Sequence, residues 1–378
     1  MKGSVRLGRI AGIEIGIHYT WLLAFALITW SLAQGFFPQS YPGWDLATYW
    51  LTGIMAALLL FLSVLLHELA HSLVAQARGL PVQSITLFIF GGVSNIVEEA
   101  KRPTVEFLMA IVGPLTSLAL AGMFWGLVQV VENQGSVLAA ILSYLALINA
   151  ILGIFNLLPG FPLDGGRVLR SILWGTSGNL TQATNVAATV GRFFGWALIA
   201  FGLFQLLSGN LLGGLWIGLI GWFLSSAAHN SRREMTLREQ LSGVPVKQIM
   251  DPNPETINPQ TSVADMIWHI FSQRRRSAVP IILDNQVVGL VTLTDVKELP
   301  QHKWADTPVE EIMTHPPLYS VTPEDDLNSA MRLMAQYDLN QVLVLQHGQL
   351  AGILNRADII RYLQFGQVLG IKPKQNES

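Results

Sequence analysis

His67-Glu68-Leu69-Ala70-His71 lies in the apolar stretch GIMAALLLFLSVLLHELAHSLVAQARG. On a helix, residues i and i+4 stack one turn apart on one face, so two imidazoles at this spacing can reach a single metal ion. Glu68, beside the first histidine, is placed to take a proton from a metal-activated water, which is the logic of the H-E-x-x-H pattern. Placing such groups inside a spanning helix is costly, ~2.5–3.5 kcal/mol for a central charge. The alternative reading is a polar helix face paired against neighbouring helices, but no simple packing need explains His, Glu and His together.

Two histidines leave a catalytic zinc one protein ligand short. The chain has no cysteine, so the third ligand must be His, Asp or Glu, and disulfides, thiolate sites and cysteine nucleophiles are excluded. The other histidines are His18 and His229, at ends of expected helices, and His269, His302, His315 and His347, all in the C-terminal part. The outstanding candidate is Asp164 in NLLPGFPLDGGRVLR, the only acidic residue between Glu132 and residue 229. Pro159, Gly160, Pro162, Gly165 and Gly166 break the helix around it, and irregular backbone at membrane depth is tolerated where it lines a site. Its plainer reading is a helix-terminating aspartate at the membrane interface.

The elements that must position these groups follow from where charge is missing. Of 378 residues, 51% are hydrophobic and 13% charged, against about a quarter charged in an ordinary soluble domain. Residues 1–229 hold 9 Lys/Arg and 8 Asp/Glu, whereas residues 230–378 hold 14 and 17, so a membrane-like part precedes a soluble one. Nine of the 11 tryptophans fall in the first part, as at bilayer interfaces. Spanning segments are expected near 18–34, 50–77, 105–131, 137–158, 186–207 and 211–229, the fourth continuing irregularly to about 174. The first residues are too polar for a cleaved signal peptide. LPVQSITLFIFGGVSNIVEE reads as short strands around a Gly91-Gly92 turn, packed on protein or at the interface. Lys2, Arg6 and Arg9, then Arg78, Lys101 and Arg102, then Arg167 and Arg170, then Arg232 and Arg233 occupy alternate connections, so both termini are expected in the cytoplasm. A net charge of −2 gives no support for a nucleic-acid partner.

HELAH in one membrane helix with NLLPGFPLDGG in a later one resembles the site-2 protease family of intramembrane zinc metalloproteases. The resemblance covers roughly residues 1–229. It implies one zinc ion held by His67, His71 and Asp164, with Glu68 as general base. Asn156, Pro159, Leu163, Asp164 and Gly165 match the family pattern N-x-x-P-x-x-x-L-D-G, and Asn156 is by resemblance a substrate-positioning or oxyanion-assisting residue. Gly113-Pro114 and the Gly91-Gly92 segment also match family features. No PDZ-like insertion is visible in this part.

The C-terminal part is an internal repeat. Ile249-Met250-Asp251 recurs as Ile312-Met313-Thr314, and GLVTLTD at 289–295 recurs as GILNRAD at 352–358, both offset by 63 residues. The units resemble a tandem pair of cystathionine-β-synthase (CBS) domains, expected at 243–303 and 304–365 after a linker at 230–242, with a tail at 366–378. Such pairs commonly bind adenine nucleotides in the cleft between repeats, and a homodimer through the pair is expected. The resemblance implies ATP, ADP or AMP contacted by Thr292, Asp295 and Asp358; Asn355 departs from the pattern where a hydroxyl is usual. A pair that only dimerises is the alternative. Arg274-Arg275-Arg276 reads as a solvated patch with phosphate contact as the other option.

The expected architecture is a polytopic α-helical membrane protein of about six spans with a short β element, followed by an α/β CBS pair. The expected function is zinc-dependent hydrolysis of a peptide bond in or near a transmembrane segment of a membrane-protein substrate, within the lipid bilayer, regulated by nucleotide. The alternatives are a CBS-gated channel or transporter and a non-cleaving, substrate-binding relative. A transporter has no need for a glutamate between ligand histidines, and the base is retained here.

Overall fold

The computed structural model describes residues 3–89, 91–96, 100–272 and 278–369. It divides into two compact units, Met1–Met235 and Thr236–Ser378. The arginine run at 274–276 and the end of the tail lie outside the described residues.

The first unit opens with two strands that the sequence reading did not anticipate, β1 (Ser4–Ile10) and β2 (Ile13–His18). They form an antiparallel hairpin around Ala11 and Gly12, both at positive φ (50° and 81°). Arg9 donates to Glu14 across the pair at 2.6 Å, and this bond, with the charge of Arg6, holds the Glu14 carboxyl below its usual range. β3 (Val82–Phe88) runs parallel to β2, and β4 (Gly91–Ile96) pairs antiparallel with β3 as the sheet edge. Gly91 and Gly92 pair with Phe88 and Leu87, so the two glycines begin β4 rather than form the turn.

Between β2 and β3 run α1 (Thr20–Ser31), a π-helical stretch Leu32–Phe36, α2 (Phe37–Ser40) and the long α3 (Leu46–Ala77). Asp45 starts α3 as a side-chain cap, its carboxylate accepting from the Thr48 amide at 2.8 Å. α4 (Pro103–Val130), α5 (Val137–Asn156), α6 (Asp164–Ser177), α7 (Leu180–Leu207) and α8 (Leu211–Leu241) follow. Among the described residues five helices are long and apolar enough to span a membrane: Thr20–Ser40, Leu46–Ala77, Pro103–Val130, Val137–Asn156 and Leu180–Leu207. The sixth expected segment is the first part of α8, which is not among those five, so the expected count of six is approximate. α8 also runs helically through most of the expected linker.

This unit is turned inside out relative to a soluble protein. Leu58, Leu62, Phe193 and Leu207 are exposed, while Ser63, His67, His71, Ser117 and Asn149 are buried. An apolar exterior over a polar interior is stable when the surroundings are lipid. One core joins α3 to α5 through Ala56, Ala57, Leu60, Ala140 and Leu145. A second packs Ile13, Ile15, Val82 and Ile85 of the sheet on the C-terminal half of α3.

The second unit contains two copies of one motif. α9 (Val263–Met266) precedes the hairpin β5 (Ala278–Leu283) and β6 (Gln286–Thr292), then α10 (Leu293–Glu298). β7 (Ser320–Val321), α11 (Leu327–Gln336), the hairpin β8 (Gln341–Gln346) and β9 (Gln349–Asn355), and α12 (Arg356–Leu369) form the other copy. The 63-residue offset extends to fine detail. The hairpin turns Asp284-Asn285 and His347-Gly348 are all at positive φ, and the register breaks at Ile281/Ile282 in one copy and Val344/Leu345 in the other. The leaders are exchanged: Asp251 forms two backbone hydrogen bonds with Ile353, and Thr314 forms two with Leu290. Met250 lies against Gly352 of the second hairpin, and Met313 against Gly289 of the first. Leu241, Val244 and Val246 accordingly belong to the second copy's core, and Val309 and Met313 to the first's. The linear boundary expected at 303/304 is therefore crossed in both directions by packing.

Candidate metal centre

His67 and His71 stack one turn apart on α3, with ring centroids 4.9 Å apart. Asp164 is the first residue of α6, where the partial positive charge of a helix N-terminus favours a carboxylate. The loop before it is held against α7, with the Phe161 amide donating to the Ala187 carbonyl at 3.2 Å. The three side chains converge on one point. His67 Nε2 is 3.1 Å and His71 Nε2 3.2 Å from Asp164 Oδ2, and the two Nε2 atoms are 3.2 Å apart. Among the described residues this is the one His/Asp/Glu group so arranged.

The partners of the outer ring nitrogens say what this triangle needs. His71 Nδ1 meets the backbone carbonyl of Met109, which can only accept, so that nitrogen carries the proton and Nε2 presents a lone pair. His67 Nδ1 is 2.8 Å from Ser117 Oγ, which can accept in the same way. With both Nδ1 atoms donating outward, two lone pairs and a carboxylate oxygen face one another, an arrangement a cation reconciles. Zn–N and Zn–O bonds of ~2.0–2.1 Å in tetrahedral geometry separate donors by about 3.3–3.4 Å, close to the triangle observed. The donor set therefore fits zinc, with both histidines oriented by the outer hydrogen bonds such ligands use.

Backbone approaches the centre from two sides. A Cβ on Gly113 of α4 would overlap the Nε2 atoms of both histidines, and one on Gly92 of β4 would overlap the Glu68 side chain. The glycines singled out in the sequence are thus positions where α4 and the sheet edge press against the site. Ser94 Oγ of β4 donates to Glu68 Oε2 at 3.3 Å and lies 2.9 Å from Ser72 Oγ. Ser94, Ser72, Ser117 and the Met109 carbonyl were not singled out from sequence. Ser117 carried a faint signal, a hydroxyl one turn after Gly113 in a largely apolar helix.

Asn156 ends α5, and its amide donates to the Leu152 carbonyl one turn back at 3.0 Å. That bond ties it to its own helix and not to the triad. In the second unit the Asp295 carboxylate accepts from both the Thr292 amide (2.7 Å) and its hydroxyl (2.8 Å), forming a capping box at the start of α10. In the other copy the Asn355 amide donates to Asp358 at 2.9 Å, so Asn takes the place of the hydroxyl while keeping the carboxylate tied.

Comparison with known proteins shows the family. Residues 55–138 and 126–198 match the model of Peptidase family M50, and residues 246–301 and 309–364 match that of the CBS domain. Rip3 from Mycobacterium tuberculosis is 36% identical over 370 residues, spanning 96% of this chain and 93% of its own. The Synechocystis protein sll0528 is 37% identical over 377 residues, spanning 96% of each chain. Both are named as zinc metalloproteases. A solved site-2 protease from Methanocaldococcus jannaschii is 31% identical, with a TM-score of 0.43, over 61% of this chain and 95% of that one. A buried metal-type triad inside a bundle with an apolar exterior defines the class, a membrane-embedded metallopeptidase. The chain belongs to the site-2 protease family within peptidase family M50, and it carries a tandem CBS pair.

Proposed function

We propose that this chain cleaves a peptide bond in or near a transmembrane segment of another membrane protein, with His67, His71 and Asp164 holding one zinc ion and Glu68 as general base. The convergence of His67 Nε2, His71 Nε2 and Asp164 Oδ2 on one point carries the reading. When bound, zinc supplies Lewis-acid polarisation of the scissile carbonyl and acidifies water. Glu68 takes the water's proton and returns it to the leaving amine, while Ser94 holds one of its oxygens. The Met109 carbonyl and Ser117 keep both imidazoles in the orientation that presents Nε2. Asn156 is assigned to the substrate backbone, its amide free to leave the Leu152 carbonyl for a stronger partner.

The cytoplasmic placement of both termini and of the CBS pair follows from the alternation of Lys/Arg-bearing connections, with the start of α8 completing an even number of crossings. The CBS pair is proposed to bind ATP, ADP or AMP through Thr292, Asp295 and Asp358, to form homodimers, and to regulate cleavage. What supports the nucleotide assignment is the sequence pattern: a hydroxyl with a carboxylate three residues on, able to accept from ribose hydroxyls. The test is co-expression with a panel of single-span membrane proteins, comparing the native chain with Glu68→Gln and mapping fragments by mass spectrometry. Cleavage that persists unchanged in Glu68→Gln would defeat the reading.

A further inference from the structure

We infer that Glu106 and Arg170 form a positioning clamp that sets Asp164 against the two histidines. The inference rests on the metal site proposed above. Glu106 lies in the first turn of α4 and is 1% exposed. Arg170 lies on α6, nearly two turns after Asp164. Its Nε donates to Glu106 Oε1 at 2.6 Å, and a second guanidinium nitrogen pairs with the same oxygen. The two side chains are only 14% and 2% exposed. The guanidinium carbon also sits 5.1 Å from the centre of the Phe161 ring, in the loop that delivers Asp164.

What the pair joins is what gives it a role. Glu106 is one turn before Met109, whose carbonyl orients His71, and that same helix carries Gly113 against the triad and Ser117 on His67. α4 therefore carries the fixed partners of both histidines, while α6 and its preceding loop carry the third donor. Arg170 touches both, Glu106 on one side and Phe161 on the other.

Stability is a poor reason for such a pair. Taking two charges out of water costs several kcal/mol per ion, and apolar side chains of similar volume in their place are often neutral or stabilising. A planar guanidinium with directional bonds fixes how α6 is rotated and how far it slides along α4. The donor triangle has sides of 3.1–3.2 Å, and a slide of α6 would open it. Neither residue touches the donor atoms, so both act through the geometry of Asp164.

The experiment reads zinc rather than cleavage. Full-length protein in detergent micelles is stripped of metal and titrated with zinc against a competing chelator, alongside a thermal unfolding midpoint. The parent is compared with the double variant Glu106→Leu/Arg170→Leu, which leaves no buried charge unpaired, and with Arg170→Lys, which keeps the charge but loses the fork and the ring contact. The double variant is expected to unfold at the parent's temperature yet bind zinc about 10–100-fold more weakly, the scale seen when support around metal ligands is removed, with Arg170→Lys between the two. A folded double variant that binds zinc within about twofold of the parent, well inside that range, would overturn the clamp. If the double variant fails to fold, Arg170→Lys decides: weaker zinc binding at an unchanged midpoint upholds the clamp, and parental affinity overturns it. A parent chain that takes up no zinc would overturn the metal site itself, and the clamp with it.

Discussion

The two units assemble their chemistry in opposite ways. In the membrane unit the three donor atoms come from positions 67, 71 and 164, so the site exists only when α3 and α6 are brought together. In the CBS pair the paired groups, Thr292 with Asp295 and Asn355 with Asp358, are three residues apart and complete before any ligand arrives. Distant convergence is hard to explain except by a shared ligand, because nothing local requires it. A local pair has an explanation in hand, since a hydroxyl or amide with a carboxylate three residues later caps a helix whether or not it also meets ribose. The first arrangement is strong evidence of function and the second is compatible with one.

The sharpest break of that contrast is to remove the convergence. Ala at His67, His71 or Asp164 is expected to abolish tight zinc binding, measured by metal analysis after gel filtration. Glu68→Gln keeps the metal and lowers cleavage by about 10²–10⁴-fold, the usual worth of a general base. A chelator such as phenanthroline should reproduce the ligand variants in the native chain. Full zinc content in Asp164→Ala would mean that the triangle is not the site.

Next in size is Gly113→Ala. The added methyl would overlap the Nε2 atoms of both histidines. Zinc affinity should drop well beyond the effect of removing Ser117, which only holds His67 from outside. Parental zinc affinity in Gly113→Ala would show that α4 does not press on the metal position.

Much of this was legible in the sequence, for a physical reason. HELAH and LDGG stand out because ionisable and helix-breaking residues are costly in an apolar helix, so their presence demands an explanation. The 63-residue repeat was equally plain, down to Asp251 and Thr314 at matching positions. The leader exchange was not, because similarity between two copies does not say which hairpin each leader packs on. The Met109 carbonyl was invisible, since a backbone acceptor has no residue type. β1 and β2 were missed although the signals were present: alternation in IEIGIH and an Ala-Gly turn, in a stretch read for its charge instead. Asn156 is assigned by pattern alone, since its hydrogen bond here is to its own helix.

Asp295→Ala sharpens the contrast from the other side, and its two losses are separable. Loss of the cap alone should cost about 0.5–2 kcal/mol of stability in the CBS unit. If the carboxylate also serves ribose, adenine-nucleotide affinity measured by calorimetry on the full-length protein should fall by a further ~1.5–3 kcal/mol. A destabilised variant with parental nucleotide affinity would leave only the capping role. No nucleotide binding by the native chain would leave dimerisation as the pair's task.

The smallest effect tests why glycine is used in each unit. Gly113 is confined by its neighbours, whereas Gly348 is confined by its own backbone, at φ 83° with nothing within 4 Å of an added Cβ. Its counterpart in the first copy is Asn285, at φ 66°. Asparagine tolerates this region better than most residues with a Cβ, so the two turns solve one problem with different residues. Gly348→Ala should cost about 1–2 kcal/mol, the left-handed penalty, partly offset by lost freedom in the unfolded chain. Gly348→Asn should cost less, and Asn285→Gly should be close to neutral. Thermal unfolding of the CBS transition orders the three variants. Equal destabilisation by Ala and Asn would mean that the second turn uses glycine for space and not for backbone angle, which would make Gly348 a position of the same kind as Gly113.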